Sequence, residues 1–206
     1  MSKAKLKHAF YSLSHPFDGF YEVRHDGKGS LLLALLFVFF ASFSYSLNRQ
    51  YASFIVNDTN PLDVNSLIDL VSIFAIFFLF CAGNWSITTL MEGEGRFKDI
   101  VTATGYSVIP IILFFLPATF LSHLIAANEE AFYFLLIGLA VAWALLLIFM
   151  SNMTIHNYTL TKALATMLFT GIAMLIILFL LFLLFSLMQQ IYGFFNSLYM
   201  EIIFRS

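Results

Sequence analysis

The chain has 206 residues, of which 61% are apolar and only 11% charged, with a formal net charge of −2 and a mean hydropathy of +0.90. A soluble domain is about a quarter charged, so this composition excludes a water-soluble globular protein and leaves one membrane domain to account for the whole length. A single cysteine, Cys81, excludes an intrachain disulfide framework and a cysteine-based zinc site.

Residues 1–29 form an N-terminal segment with a periodic pattern of its own. Leu6, Phe10, Leu13, Phe17 and Tyr21 recur at spacings of three and four, as on one face of a helix, with Lys3, Lys5 and Lys7 beside them. An apolar stripe with lysines predicts an amphipathic helix lying in a membrane interface, where lysines meet anionic headgroups. The same stripe would equally suit packing on the protein's own helix ends. Pro16 should break or restart the helix near His15, because proline disfavours helical geometry in the residue before it.

Five apolar runs follow, at residues 30–47, 67–90, 104–125, 131–152 and 163–190, leaving 191–206 as a short tail. About 20 apolar residues cross the ~30 Å hydrocarbon layer as a helix. Each run must satisfy its own backbone hydrogen bonds in lipid, and no ten-residue alternation suggests a barrel, so the expected fold is an all-α integral membrane protein with five spans. The five-residue connection 126–130 makes spans three and four an antiparallel hairpin. Pro110 and Pro117 lie seven residues apart in the third span and should kink it, which reads as a packing bend rather than a pathway.

The basic residues set an expected orientation. Lys3, Lys5, Lys7, Arg24, Lys28, Arg96, Lys98 and Lys162 fall on one side of the five spans, and only Arg49 and Arg205 on the other. The positive-inside rule then puts the N-terminus in the cytoplasm and the C-terminus outside, so that 191–206 is extracytoplasmic. The first 29 residues are too long and too rich in acids and turn residues for a signal-peptide n-region, so the first span is expected to be retained.

No Asp, Glu, Lys, Arg or His lies near the centre of a span; Asp69 and His123 sit at the ends of theirs. A charge at mid-membrane is rarely placed without purpose, so coupled transport by this chain alone is not expected. Asn84, Ser86, Thr88, Thr89, Ser151 and Asn152 lie at the same-side ends of spans two and four and suit interhelical hydrogen bonding. No Walker loop, His-Glu-x-x-His or Gly-x-Ser-x-Gly is present, so neither catalysis nor a cofactor is expected. His15, Asp18, Glu22, His25, Asp26, Glu92, Glu94 and His156 could in principle converge on a metal, but they lack a fixed ligand spacing and no metal site is expected.

Three segments carry a family resemblance: His15-Pro16-Phe17-Asp18-Gly19-Phe20-Tyr21-Glu22, then Asp26-Gly27-Lys28-Gly29-Ser30, then Asn84-Trp85-Ser86 through Glu92-Gly93 and Arg96 to Gly105-Tyr106-Ser107-Val108-Ile109-Pro110. In this order, and with five spans, the chain resembles the bacterial branch of the Yip (Ypt-interacting protein) membrane family. Eukaryotic members of that family share the Gly-Tyr-x-x-x-Pro signature and bind Rab GTPases and one another. This chain lacks their long cytosolic N-terminal region and has Asp26-Gly27-Lys28-Gly29 where they have Asp-Leu-x-Gly-Pro, which argues against Rab binding. The resemblance implies a non-enzymatic membrane protein that works through partners, such as an ABC-type transporter, in a bacterial cytoplasmic membrane. His15–Phe20, Asp26–Gly29, Trp85, Glu92, Gly93, Arg96, Gly105, Tyr106 and Pro110 would then form a cytoplasmic cap that either offers a docking surface or locks the helix ends together. The expected function is that of a membrane adaptor, with a transport or lipid-handling unit built on the kinked third span as the rival. Lipid, another membrane protein or a second copy are the expected partners, and nucleic acid is not.

Overall fold

The structure is a computed structural model that describes residues 3–205. Two short helices, α1 (Lys3–Ser14) and α2 (Pro16–His25), lead into α3 (Leu31–Tyr51), α4 (Ser66–Leu90), α5 (Phe97–Ser107), α6 (Ile109–Leu121), α7 (Glu130–His156) and α8 (Leu160–Arg205). Five segments are long and apolar enough to cross a membrane: α3, α4, α5 with α6, α7, and α8. The five-span, all-helical architecture read from the composition is therefore the observed one.

The combined α5–α6 span is the centre of the bundle, with 61% of its apolar window buried against 22% for α4 and 11% for α8. It packs on α3, α4 and α7, while α8 rests on α4 and α7. One core gathers Leu33, Ala34 and Phe37 of α3 with Ala103, Tyr106 and Ile109 of the central span and Leu147 and Ile155 of α7. A second gathers Val38, Phe77, Cys81, Ile100 and Val101. Helices α6 and α7 pack as the expected hairpin.

Four sequence expectations change in detail. The third span begins at Phe97 rather than residue 104, because Asp99 caps it: its carboxylate accepts the Arg96 backbone N–H at 3.3 Å and Arg96 Nε at 2.9 Å, so charges that read as loop belong to the helix N-terminus. The bend falls at Val108, where α5 ends and α6 begins with Pro110 in its first turn, whereas Pro117 is carried inside α6 without ending it. The fourth span runs on to His156, where Asn157 closes it in the left-handed conformation at φ 55°. The fifth does not stop at residue 190: α8 continues to Arg205, because Ile191, Tyr192, Phe194, Phe195, Leu198, Tyr199 and Ile203 keep a helical period and Gly193 alone does not break it.

At the other end of α3, Arg49 Nη1 meets the buried Asp69 carboxylate at 2.6 Å, tying the end of α3 to the start of α4. Asn48 and Tyr133 add an interhelical bond of 2.9 Å beside them.

Candidate functional site

Helix α2 ends where α3 begins, and its contacts with α5 and α7 place it over the same end of the bundle as the 91–96 turn and the 157–159 link. These elements form one cap. Arg24, in the last turn of α2, donates through Nη1 to the Ile155 carbonyl at 2.7 Å and through Nη2 to Glu94 at 2.6 Å. A guanidinium there satisfies one of the open carbonyls at the C-terminus of α7 and favours the negative end of its dipole. The Arg24 guanidinium also holds the Glu94 carboxyl below the usual carboxylate range. Within the N-terminal pair, Glu22 receives His8 Nε2 and Lys28 Nζ, each at 3.0 Å. The Lys28 ammonium lowers the Glu22 carboxyl and is itself raised by it.

The 91–96 turn lies flat on His156. A Cβ at Gly93 would sit 2.5 Å from His156 Nδ1 and from the Tyr158 hydroxyl, and one at Gly95 would run into Ile155. Gly95 N–H donates to His156 Nδ1 at 3.2 Å, and the Tyr158 hydroxyl lies 3.3 and 3.2 Å from the Thr88 and Met91 carbonyls. Tyr158 and His156 are stacked with centroids 5.3 Å apart.

Deeper in, Gly105 lets α5 touch α3, since a Cβ there would lie 2.6 Å from the Ala34 Cβ and 2.9 Å from its backbone. The neighbouring Tyr106 is 1% exposed, its hydroxyl accepts the Ser30 N–H at 3.0 Å, and its ring packs edge-on against Phe37. Asn84 of α4 bonds both Asn152 of α7 and Thr170 of α8 at 3.3 Å. Ser86, Thr88, Thr89 and Ser151, expected to do the same, instead donate to carbonyls of their own helices. With Nδ1 accepting, the neutral His156 ring carries its proton on Nε2. That atom and Asn152 Nδ2 have no partner among the described residues, and both side chains line a cavity of about 10 Å³ between α4, α5 and α7. Such a space suits about one water.

The family-type motifs therefore divide in two. Gly19, Phe20, Gly105, Tyr106 and Pro110 are buried, and Pro16, Gly29 and Gly93 half-buried, in contacts that lock helices together. His15, Phe17, Asp18, Asp26, Gly27, Lys28, Trp85, Glu92 and Arg96 face outward. Some of these already have partners: His15 stacks on Tyr11, Trp85 packs edge-on against Phe97, and Arg96 pairs with Asp99. Among the described residues, no group of three His, Cys, Asp or Glu side chains could hold a metal. Arg24 and Tyr158 hold the cap and were not singled out from the sequence. The readable signal for the first was a basic side chain in the last turn of a short helix; for the second it was a tyrosine directly after an Asn at the end of an apolar run.

A family model described as the Yip1 domain matches residues 10–184. No curated protein and no solved structure matches the chain.

Proposed function

The chain belongs to the Yip1 domain family, and on that premise we propose that it is a non-enzymatic membrane scaffold that associates laterally with another membrane protein, an ABC-type transporter. The observation that carries this reading is α8. From Leu178 onward every described side chain of this helix is exposed, so more than half of its length turns its apolar side chains outward. At about 1.5 Å per residue the part of α8 before Leu178 already rises roughly 27 Å from the cap end of the bundle, so the exposed stretch offers its Leu and Phe side chains in the outer part of the bilayer and beyond it.

The rival reading, a transport or lipid-handling unit using the bent third span, needs a wet path reaching mid-membrane. The polar space beside that span has room for about one water, which favours the scaffold. The outward-facing cap residues Asp18 and Glu92 supply a second contact surface, on the cytoplasmic side by the positive-inside distribution.

The test is purification of the tagged chain in native polymer nanodiscs beside two variants, Phe182→Ala with Phe185→Ala on α8, and Asp18→Ala with Glu92→Ala on the cap. The expected result is a transporter identified by its nucleotide-binding subunit that accompanies the wild type and is lost from the α8 variant. A chain that purifies alone, or only with copies of itself, refutes the scaffold reading.

A further inference from the structure

Helix α3 has 21 residues, about 31 Å, which is only just the thickness of the hydrocarbon layer. All of α3 is therefore needed to cross, and its first turns lie at or inside the lipid boundary. Helix α1 packs on α2 and α5 and meets those turns through its side chains. Ala9 is fully buried in the core that holds Leu33, Ala34 and Phe37, and the Phe10 ring stands edge-on to Phe37 with centroids 6.3 Å apart. Phe37 is six residues into α3, about 9 Å along it.

The face of α1 and α2 turned toward the protein is formed by His8, Ala9, Ser12, Gly19, Phe20 and Val23. Gly19 permits this closeness, because a Cβ on it would lie 2.6 Å from the Ser12 backbone. Most of the apolar stripe expected from the sequence lies on the other side: Leu6, Phe10, Phe17 and Tyr21 are 38–53% exposed, whereas Leu13 packs against the core. Such an aromatic face at that depth meets acyl chains and headgroups. Helix α1 contains no acidic residue, and Lys3, Lys5 and Lys7 are exposed and form no ion pair among the described residues, whereas Lys28 is held by Glu22 and Asp26.

We propose that α1 and α2 form a lipid-seated foot, in which Phe10 and Phe17 enter the acyl boundary of the adjacent leaflet and Lys3, Lys5 and Lys7 bind the phosphates of anionic phospholipids. Depth and charge point to the same occupant. A protein partner would be served by the aromatic face, but it would have to displace lipid at the level of α3's second turn. The foot does not depend on the scaffold reading.

The test uses the full chain carrying a nitroxide at Phe10→Cys or, separately, Phe17→Cys, in nanodiscs of phosphatidylcholine with phosphatidylglycerol; wild type controls for labelling of the buried Cys81. Both labels should be more accessible to oxygen than to a water-soluble nickel chelate. Greater nickel access, or shielding from both reagents as under a protein partner, overturns the foot. The second measurement is the phosphatidylglycerol preference of the triple variant Lys3→Gln, Lys5→Gln, Lys7→Gln by lipid exchange. Each lysine at the headgroups is worth about fivefold, so the preference should fall by more than tenfold, and an unchanged preference overturns the headgroup contact.

Discussion

Replacing Gly105 with alanine tests whether the Gly-Tyr pair is a helix lock. The added Cβ would stand 2.6 Å from the Ala34 Cβ, against 3.4 Å for the start of ordinary contact, so α3 and α5 must separate by about 0.8 Å. The atoms met include the Ala34 Cα and carbonyl, which cannot swing aside as a flexible side chain would. Overpacking of this kind costs about 1–3 kcal/mol. Loss of the Ser30–Tyr106 hydrogen bond adds about 1 kcal/mol, and the better helix propensity of alanine returns about 1 kcal/mol. The net is about 2 kcal/mol, or roughly 4–8 °C in Tm for a chain of this size. Cys81 provides the assay, because it is the single cysteine and fully buried, so a thiol-reactive fluorophore reports its exposure during a thermal ramp. Gly138 and Gly171 are the controls: nothing lies within 4 Å of a Cβ built on either. Alanine there should leave Tm unchanged or raise it by up to about 4 °C. A Gly105→Ala protein that melts at or above the wild type would refute the close-approach reasoning.

Arg49→Met should lower stability by about 3 kcal/mol, since it strands the Asp69 carboxylate, which is 6% exposed, without its cation. Adding Asp69→Leu should recover more than half of that loss in the same melt, and no recovery would mean that the pair is not what holds α3 to α4. Asn84→Leu should cost about 1–3 kcal/mol by leaving the Asn152 amide oxygen without its donor, while Thr170 keeps its bond to the Thr166 carbonyl, and the double variant with Asn152→Leu should cost less than the two single losses together. Strict additivity would show that the two amides do not interact. Because Arg24 depresses the Glu94 carboxyl, the stabilisation is present above the unfolded value of 4.5 and is lost as pH falls through the lower folded value. The Tm difference between wild type and Glu94→Gln, followed by tryptophan fluorescence, should therefore be flat above about pH 5.5 and shrink below 4.5. A difference that persists at the most acid pH would break that link.

Composition and periodicity determine much of this protein without any tertiary information. Uncharged apolar runs must become helices in lipid because their backbone groups have no other partner, and Pro16 ends α1 through local sterics that read directly from the chain. Several residues of the cap were also visible as motifs, down to Gly93, Gly105 and Tyr106, although Arg24 and Tyr158 were not. What they do was not visible, because a glycine that allows a close approach and a glycine that allows a turn look alike in sequence, and the distances to Ala34 and His156 exist only once α3, α5 and α7 are packed. The same holds for the N-terminal stripe. Its spacing predicted an amphipathic helix but could not say which face the protein would cover, and the fold buries the narrower side at His8, Ala9, Ser12 and Gly19, leaving Phe10 and Phe17 outward. Local sequence thus determined that the chain forms five long apolar helices, but not where each of them begins and ends. Tertiary structure decided which helix lies at the centre, which charges meet, and which apolar faces remain for lipid or partner, since each of these depends on contacts between residues far apart in the chain.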